Sequence, residues 1–234
     1  MRLLLISNST NPGEQYLDYP KPAIKEFLGI KPVKALFIPY AAVTFSYDEY
    51  ERKVSERFRE TGHEIVSIHH FEDKTAAVLS SEAIVAGGGN TWQLLKMTRE
   101  NRLIEAIREK VRGGTPYIGW SAGSNMACPT IRTTNDMPIV EPGSFNAFNF
   151  IPFQINPHYT DSKPADHAGE TREQRIEEFI EANPDITVVG LREGTMLLLE
   201  NGKLKLVGSK TIRIFKKGSA PKELDQNDDL LFLL

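Results

Sequence analysis

The chain is predicted to be an α/β protein, a mostly parallel sheet with helices on both faces and an antiparallel C-terminal extension. Three observations predict it. Over the first two-thirds of the 234 residues, short apolar runs alternate with amphipathic segments, the pattern of strands joined by crossover helices. Near the C-terminus, Asn201-Gly202 separates two short segments rich in leucine, which marks a two-residue hairpin and hence antiparallel strands. The length suits one large α/β unit, residues 1–234, and no linker, repeat or low-complexity tract divides it.

In chain order, residues 2–8 and 34–39 read as strands, with room between them for only a short helix at 23–28. Residues 47–61 read as a longer helix, since Tyr50, Val54 and Phe58 recur every four residues and Gly62 stands where a helix ends. A strand at 63–68, a weak helix near 76–79 and a buried strand at 83–86 follow. Residues 91–97 and 103–111 are helical, the second with Leu103, Ile107 and Val111 on one face, and 115–119 is a further strand. Residues 129–157 are rich in Pro, Asn, Phe and Thr without a period, and are expected to wrap the sheet edge as loops and short strands. Residues 161–169 form a polar segment expected to be a mobile loop. A helix at 171–182 turns Ile176, Phe179 and Ile180 inward, and strands are expected at 187–191, 195–200, 203–207 and 211–215.

The composition, with 40% apolar residues, 25% charged residues and a net charge of −3, is that of an ordinary globular domain and carries no nucleic-acid footprint. The single cysteine, Cys128, excludes an internal disulfide and a cysteine metal cluster; neither metal nor cofactor is expected. The apolar run at 3–6 is too short for a signal-peptide core, and no stretch approaches the roughly 20 apolar residues of a membrane helix. The cytoplasm is the expected compartment, without a membrane partner. Nothing in the sequence sets an oligomeric state.

Gly119-Trp120-Ser121-Ala122-Gly123 matches G-x-S-x-G between an expected strand and a helix-compatible run at 124–127. Such a turn lifts a serine hydroxyl above the sheet, and glycine on both sides permits the strained, closely packed backbone. Ser121 is therefore the candidate nucleophile. The N–H of Ala122, at a helix N-terminus, is a candidate oxyanion donor. Gly87-Gly88-Gly89-Asn90-Thr91 likewise joins a strand to a helix. It lacks the spacing of a nucleotide-binding loop, and beside a nucleophile elbow the Gly89 N–H becomes the second candidate donor. The plain alternative for both motifs is a glycine-rich strand–helix turn.

A serine nucleophile needs a base within hydrogen-bond reach. His158, in Asn156-Pro157-His158-Tyr159 at an expected strand end, is the best placed of five histidines. His63, His69 and His70 read as surface or packing residues, and His167 as solvated in the polar loop. Two acids compete to orient His158. Asp136 precedes Pro138 in a segment that also suits an Asx-turn, and Glu193 stands at a strand end beside Gly194. Strand ends gather at one rim of a parallel sheet, which favours Glu193.

Gly-Gly-Gly-Asn-Thr at 87–91, Tyr-Ile-Gly-Trp-Ser-Ala-Gly-Ser-Asn at 117–125, the run at 128–140, Ile-Asn-Pro-His at 155–158 and Gly-Glu-Thr-Arg-Glu-Gln-Arg-Ile at 169–176 resemble the peptidase E family, as does 5–10 near the N-terminus. The resemblance implies a dipeptidase that releases an N-terminal aspartate, on a sheet related to class I glutamine amidotransferases with serine in place of their cysteine. It implies Ser121 and His158 as nucleophile and base, and points to Asp136 as a triad member, while the amidotransferase-like architecture points near Glu193. The amidotransferase His-x-Glu pair is missing, since Thr160 stands two residues after His158. An aspartyl substrate calls for a guanidinium clamp. Arg172 and Arg132 lie in the resembling segments and are the candidates, with Arg172 opening a helix after the polar loop, as a lid would require. Asn90 is placed with them at the substrate. The rival readings are a cyanophycinase-like hydrolase of β-aspartyl bonds and a catalytically silent, amidotransferase-like ligand-binding protein.

Overall fold

In the computed structural model, which describes residues 1–162 and 168–234, the strands β1 (Leu3–Ile6), β2 (Lys34–Ile38), β3 (Glu64–Ser67), β4 (Ala83–Ala86) and β5 (Tyr117–Trp120) pair in parallel. All are short, and β1, β4 and β5 are wholly buried, as expected of strands covered on both faces, while the edge strand β3 is largely not. Alternate residues of β1 serve opposite layers. Leu3 and Leu5 join one apolar cluster, while Leu4 and Ile6 join the other.

Helices α1 (Lys21–Leu28) and α2 (Tyr47–Glu60) contribute to the second cluster. Their counterparts α3 (Lys74–Ser80), α4 (Thr91–Glu100), α5 (Ile104–Arg112) and α6 (Ala122–Met126) contribute to the first. Helix α2 starts where the sequence expects it, because Ser46 and Glu49 form a capping box. Its inward side chains are Tyr50, Val54 and Phe58.

The second half departs from the expected single sheet. β6 (Gln154–Tyr159), helix α7 (Arg172–Ala182) and β7 (Val188–Arg192) lead into the hairpin β8 (Met196–Glu200) and β9 (Lys203–Val207), followed by β10 (Ile212–Phe215) and β11 (Lys222–Leu224). The hairpin extends the first sheet in antiparallel fashion to the order β3-β2-β4-β5-β1-β8-β9. Asn201 and Gly202 both take positive φ, as a two-residue hairpin requires. The remaining strands form a separate four-stranded sheet, β11-β10-β7-β6, in which β6 and β7 are parallel and the others antiparallel.

Residues of that smaller sheet, including Ile155, Val189, Leu191 and Ile212, belong to the same apolar cluster as α4, α5 and α6. β6 does not stop before Pro157, as the sequence suggested. It runs on to Tyr159, with a register shift against β7 between Asn156 and Tyr159. Among the described residues no helix is long and apolar enough to cross a membrane. The expected polar loop at 161–169 and His167 fall largely or wholly on residues 163–167, outside the described residues.

Candidate active site

Strands β4 and β5 lie side by side in parallel, with Ala86 opposite Gly119, so the two glycine-bearing turns emerge next to each other. At the end of β5, Ser121 takes φ 53 and ψ −111, a conformation that L side chains rarely adopt. Packing holds it there. The Ser121 N–H donates to the carbonyl of Ile6 at 3.0 Å, and the Ser124 hydroxyl donates to the same carbonyl at 2.7 Å. Gly123 has no room for a side chain, since a Cβ would lie 2.1 Å from the carbonyl oxygen of Ala86. Gly89 is equally committed, with φ +131 and a Cβ position 2.3 Å from the oxygen of Ala41.

His158 and Glu193 arrive from the smaller sheet. His158 Nε2 lies 2.8 Å from Ser121 Oγ, and its Nδ1 lies 2.7 Å from Glu193 Oε1. The register shift in β6 explains how a strand residue reaches the nucleophile, because His158 takes φ 54 there and leaves the regular ladder. Its backbone N–H donates to Ser7 Oγ at 3.0 Å, and that hydroxyl donates to the Leu191 carbonyl at 2.7 Å. Ser7 follows β1 directly, so one buried hydroxyl ties the large sheet to both strands that bear the base and its acid. The Gly194 N–H donates to Asn8 Oδ1 at 2.8 Å and holds the Glu193 turn in the same way.

The other acid stands elsewhere. Among the described residues, Asp136 makes no hydrogen bond or ion pair with His158, although both line the same cleft. Its Oδ2 accepts from the Thr91 N–H at 2.7 Å, the Thr91 hydroxyl at 2.6 Å and the Thr134 hydroxyl at 3.0 Å. It neutralises the N-terminus of α4 and thereby braces the Gly87–Asn90 turn. Asn90 is the N-cap of α4. Its Oδ1 accepts from the Gln93 N–H at 3.1 Å and its Nδ2 donates to the Met137 carbonyl at 2.9 Å, so both ends of the side chain are engaged by the protein rather than offered to a substrate.

Ser121 opens onto a cleft of about 820 Å³ whose lining includes Tyr50, Gly88, Gly89, Trp120, Asp136 and His158. Among the described residues, no acceptor takes the N–H of Ala122, Gly88 or Gly89. Gly88 packs against Ser121, since a Cβ there would lie 3.1 Å from the Ser121 Cβ. The Tyr50 hydroxyl donates to the Gly88 carbonyl at 2.8 Å.

The two arginines lie outside this cleft. Arg172 and Arg132 line a neighbouring cavity of about 220 Å³, which meets the cleft at Asp136. Arg132 is exposed, donates to Asn183 Oδ1 at 2.9 Å and stacks on Phe179. Arg172 is half-buried and donates to Asn135 Oδ1, and among the described residues it has no carboxylate partner. Burial pushes its pKa below the usual guanidinium value. Asn135 in turn donates to the Pro157 carbonyl at 2.6 Å, immediately before His158. The cations in the cleft itself are Arg52 and Lys53 of α2. Sequence reasoning missed them because they stand on the polar face of an amphipathic helix, where charge is the ordinary occupant.

Cys128 is buried and far from this chemistry in character. Burial raises its thiol to about 12, which leaves it protonated and inert.

The model of peptidase family S51 matches residues 3–207. The chain is 54% identical over 233 residues to peptidase E of Nostoc sp., covering 100% of this chain and 96% of that protein. It is 48% identical over 225 residues to peptidase E of Salmonella paratyphi A, covering 96% and 98%. In fold it resembles a peptidase from an acI-B1 Actinobacterium, with a TM-score of 0.68 at 18% identity over 98% of this chain and 96% of that one.

Proposed function

The chain belongs to peptidase family S51, and on that premise we propose that it is a serine-type dipeptidase that cleaves Asp-Xaa dipeptides through an acyl-enzyme on Ser121. The observation that carries this reading is the continuous relay from Ser121 Oγ to His158 Nε2 and from His158 Nδ1 to Glu193 Oε1, with both contacts below 3 Å.

In that relay Glu193 accepts the Nδ1 proton and leaves the Nε2 lone pair facing the hydroxyl. Ser121 Oγ attacks the aspartyl carbonyl carbon as its proton passes to Nε2. The new C–O bond leaves a negative oxygen, which the Ala122 and Gly89 N–H groups receive. The C–N bond then breaks, and the imidazolium returns its proton to the departing amine. Water, deprotonated by the same nitrogen, attacks the ester and releases aspartate. The strained elbow and braced glycine turn hold the donors in place before the substrate arrives, which is the source of electrostatic catalysis.

For the aspartate side chain, Arg172 is the proposed clamp. A half-buried guanidinium facing only a neutral amide gains a counter-ion when a carboxylate binds. Arg132 already serves Asn183 and Phe179 and is the weaker candidate.

The test measures kcat/KM for Asp-Leu, Asn-Leu and β-Asp-Arg in wild type, Ser121→Ala, Arg172→Met and Arg132→Met. The expected result is turnover of Asp-Leu that vanishes in Ser121→Ala. In Arg172→Met, the preference for Asp-Leu over Asn-Leu should collapse by a factor of about 30 or more, since removing one partner of a desolvated charge pair costs ~2–5 kcal/mol. Cleavage of β-Asp-Arg alone would favour the cyanophycinase-like reading. Absence of any hydrolysis, with no reaction of Ser121 toward a serine-directed phosphonate, would favour the ligand-binding one.

A further inference from the structure

Away from the cleft, α2 and the turn after β3 bring two histidines and two carboxylates together. Asp48 and Glu51 lie three residues apart on α2 and share one stripe of the helix. His69 and His70 lie in the short 3₁₀ turn Ile68–His70. One donor atom from each of the four side chains falls within 4.8 Å of every other. We propose that Asp48, Glu51, His69 and His70 form a binding site for a divalent transition-metal ion of the zinc class.

The arrangement of partners supports ligation beyond two casual ion pairs. His69 Nε2 lies 2.9 Å from Asp48 Oδ1, and His70 Nε2 lies 2.5 Å from Glu51 Oε2, so both imidazoles point the same type of nitrogen into one space. Their ring centroids stand 3.9 Å apart at 39°, so the two imidazoles approach one another closely. Buried Ser67 supports two of the ligands from behind. Its Oγ lies 2.6 Å from His69 Nδ1, and its N–H donates to Glu51 Oε1 at 2.7 Å. Each contact holds the far atom of a ligand and leaves the near one, His69 Nε2 or Glu51 Oε2, for an ion. Outer-shell support of this kind orients metal ligands generally.

The donor set selects the ion. Two imidazole nitrogens with two carboxylate oxygens suit zinc and its neighbours, whereas magnesium and calcium prefer oxygen alone. Zinc–nitrogen and zinc–oxygen bonds of about 2.0–2.2 Å place tetrahedral ligands about 3.4 Å apart. The side chains need to shift by only about 1 Å from their present positions to reach that spacing, and Asp48 and His70 are exposed and free to do so. Four protein ligands complete the shell and make the site structural rather than catalytic. The ion would fasten α2, whose neighbouring stripe carries the cleft residues Glu49, Arg52 and Lys53, to the edge strand β3.

Titration of the full chain with Zn²⁺ and with Co²⁺, followed by calorimetry and by the visible absorption of cobalt, tests the site. The expected result is one equivalent bound, a tetrahedral cobalt spectrum bleached by Zn²⁺, and a melting temperature that rises with Zn²⁺ concentration. Mg²⁺ should give none of these. His70→Ala touches no buried packing and should abolish the cobalt spectrum, as should Glu51→Gln. Ser67→Ala should weaken binding about 10–100-fold. His158→Ala should retain it. Absence of binding in the wild type overturns the proposal. So does binding that survives His69→Ala/His70→Ala, or that disappears in His158→Ala, which would put the ion at the active site.

Discussion

The two sheets supply opposite ends of one reaction relay and are held by different forces. The seven-stranded sheet presents Ser121 from strands whose side chains are almost all buried hydrocarbon. The four-stranded sheet presents His158 and Glu193, and the strands beside them are laced with charge. Arg192 pairs with Asp161 and Glu223 at 2.8 Å, and Arg213 pairs with Glu173 at 2.8 Å. Apolar packing fixes the nucleophile by close contact in all directions. Ion pairs brace the smaller sheet through a few groups that solvent partly screens. The comparison teaches that the relay depends on docking between sheets, with Ser7 as the hydroxyl that spans them.

The largest expected effect separates the two acids, one on each side of this divide. Glu193→Gln removes the carboxylate that fixes the imidazole tautomer and should lower kcat by a factor of about 10⁴. Asp136→Asn leaves an oxygen for the Thr91 and Thr134 donors and disturbs only the brace of the glycine turn. A loss of about 10-fold is expected. Steady-state kinetics on Asp-Leu decides the matter, and a collapse in Asp136→Asn with mild loss in Glu193→Gln would reverse the assignment.

Ser7→Ala attacks the joint itself. It leaves the His158 N–H and the Leu191 carbonyl without their shared partner, at a cost of about 1–3 kcal/mol for buried unpaired groups. A kcat lowered by about 10–100-fold with KM little changed is expected, because the base loses its position while the cleft keeps its walls. Ser7→Thr, which retains the hydroxyl, should restore much of the rate. If Ser7→Ala shifts only the melting temperature, the joint is structural and does not position the base.

Loosening the charge network of the smaller sheet should matter less. Arg192→Met strips Asp161 and Glu223 of their guanidinium, and a fall in melting temperature should exceed any fall in kcat, since the Arg192 side chain bonds Asp161, Thr211 and Glu223 and no member of the relay. An equal loss of rate would show that the charge network reaches the active site.

The smallest effect concerns acid. The Arg192 hydrogen bond holds the carboxyls of Asp161 and Glu223 below the usual carboxylate range. A depressed folded pKa adds stability that is full above the unfolded value, near pH 4, and is lost as pH falls through the folded value. Glu223→Gln should therefore melt about 2–4 °C below wild type at pH 7, an effect of no more than ~1 kcal/mol at a partly exposed site. The two melting temperatures should converge once the pH falls below the depressed folded value. A gap that persists there would mean that Glu223 acts through packing.

Several parts of this architecture are legible in the residues themselves. The elbow around Ser121, the glycine turn at 87–91 and the Asn201-Gly202 hairpin are local, because each depends on backbone angles that only a few residue types tolerate. His158 and Glu193 are visible as polar residues at the ends of apolar runs, and the gathering of strand ends at one rim favours their pairing without deciding it against Asp136. The separate four-stranded sheet is not visible, since a run such as 187–191 pairs equally well, by pattern, with either sheet. Nor is the φ of 54 at His158 or the second life of Asp136 as a brace for α4, because each is imposed by neighbours more than 30 residues away in the chain.

By itself, then, the sequence determined the strands, the turns and the chemistry available at each, through local conformational preference and the periods of apolar residues. Only the tertiary structure decided which carboxylate faces His158, which hydroxyl joins the sheets and which histidines meet carboxylates across α2. Those outcomes rest on pairings over long separations, where many registers satisfy the same hydrophobic pattern. Packing of the whole core selects one of them.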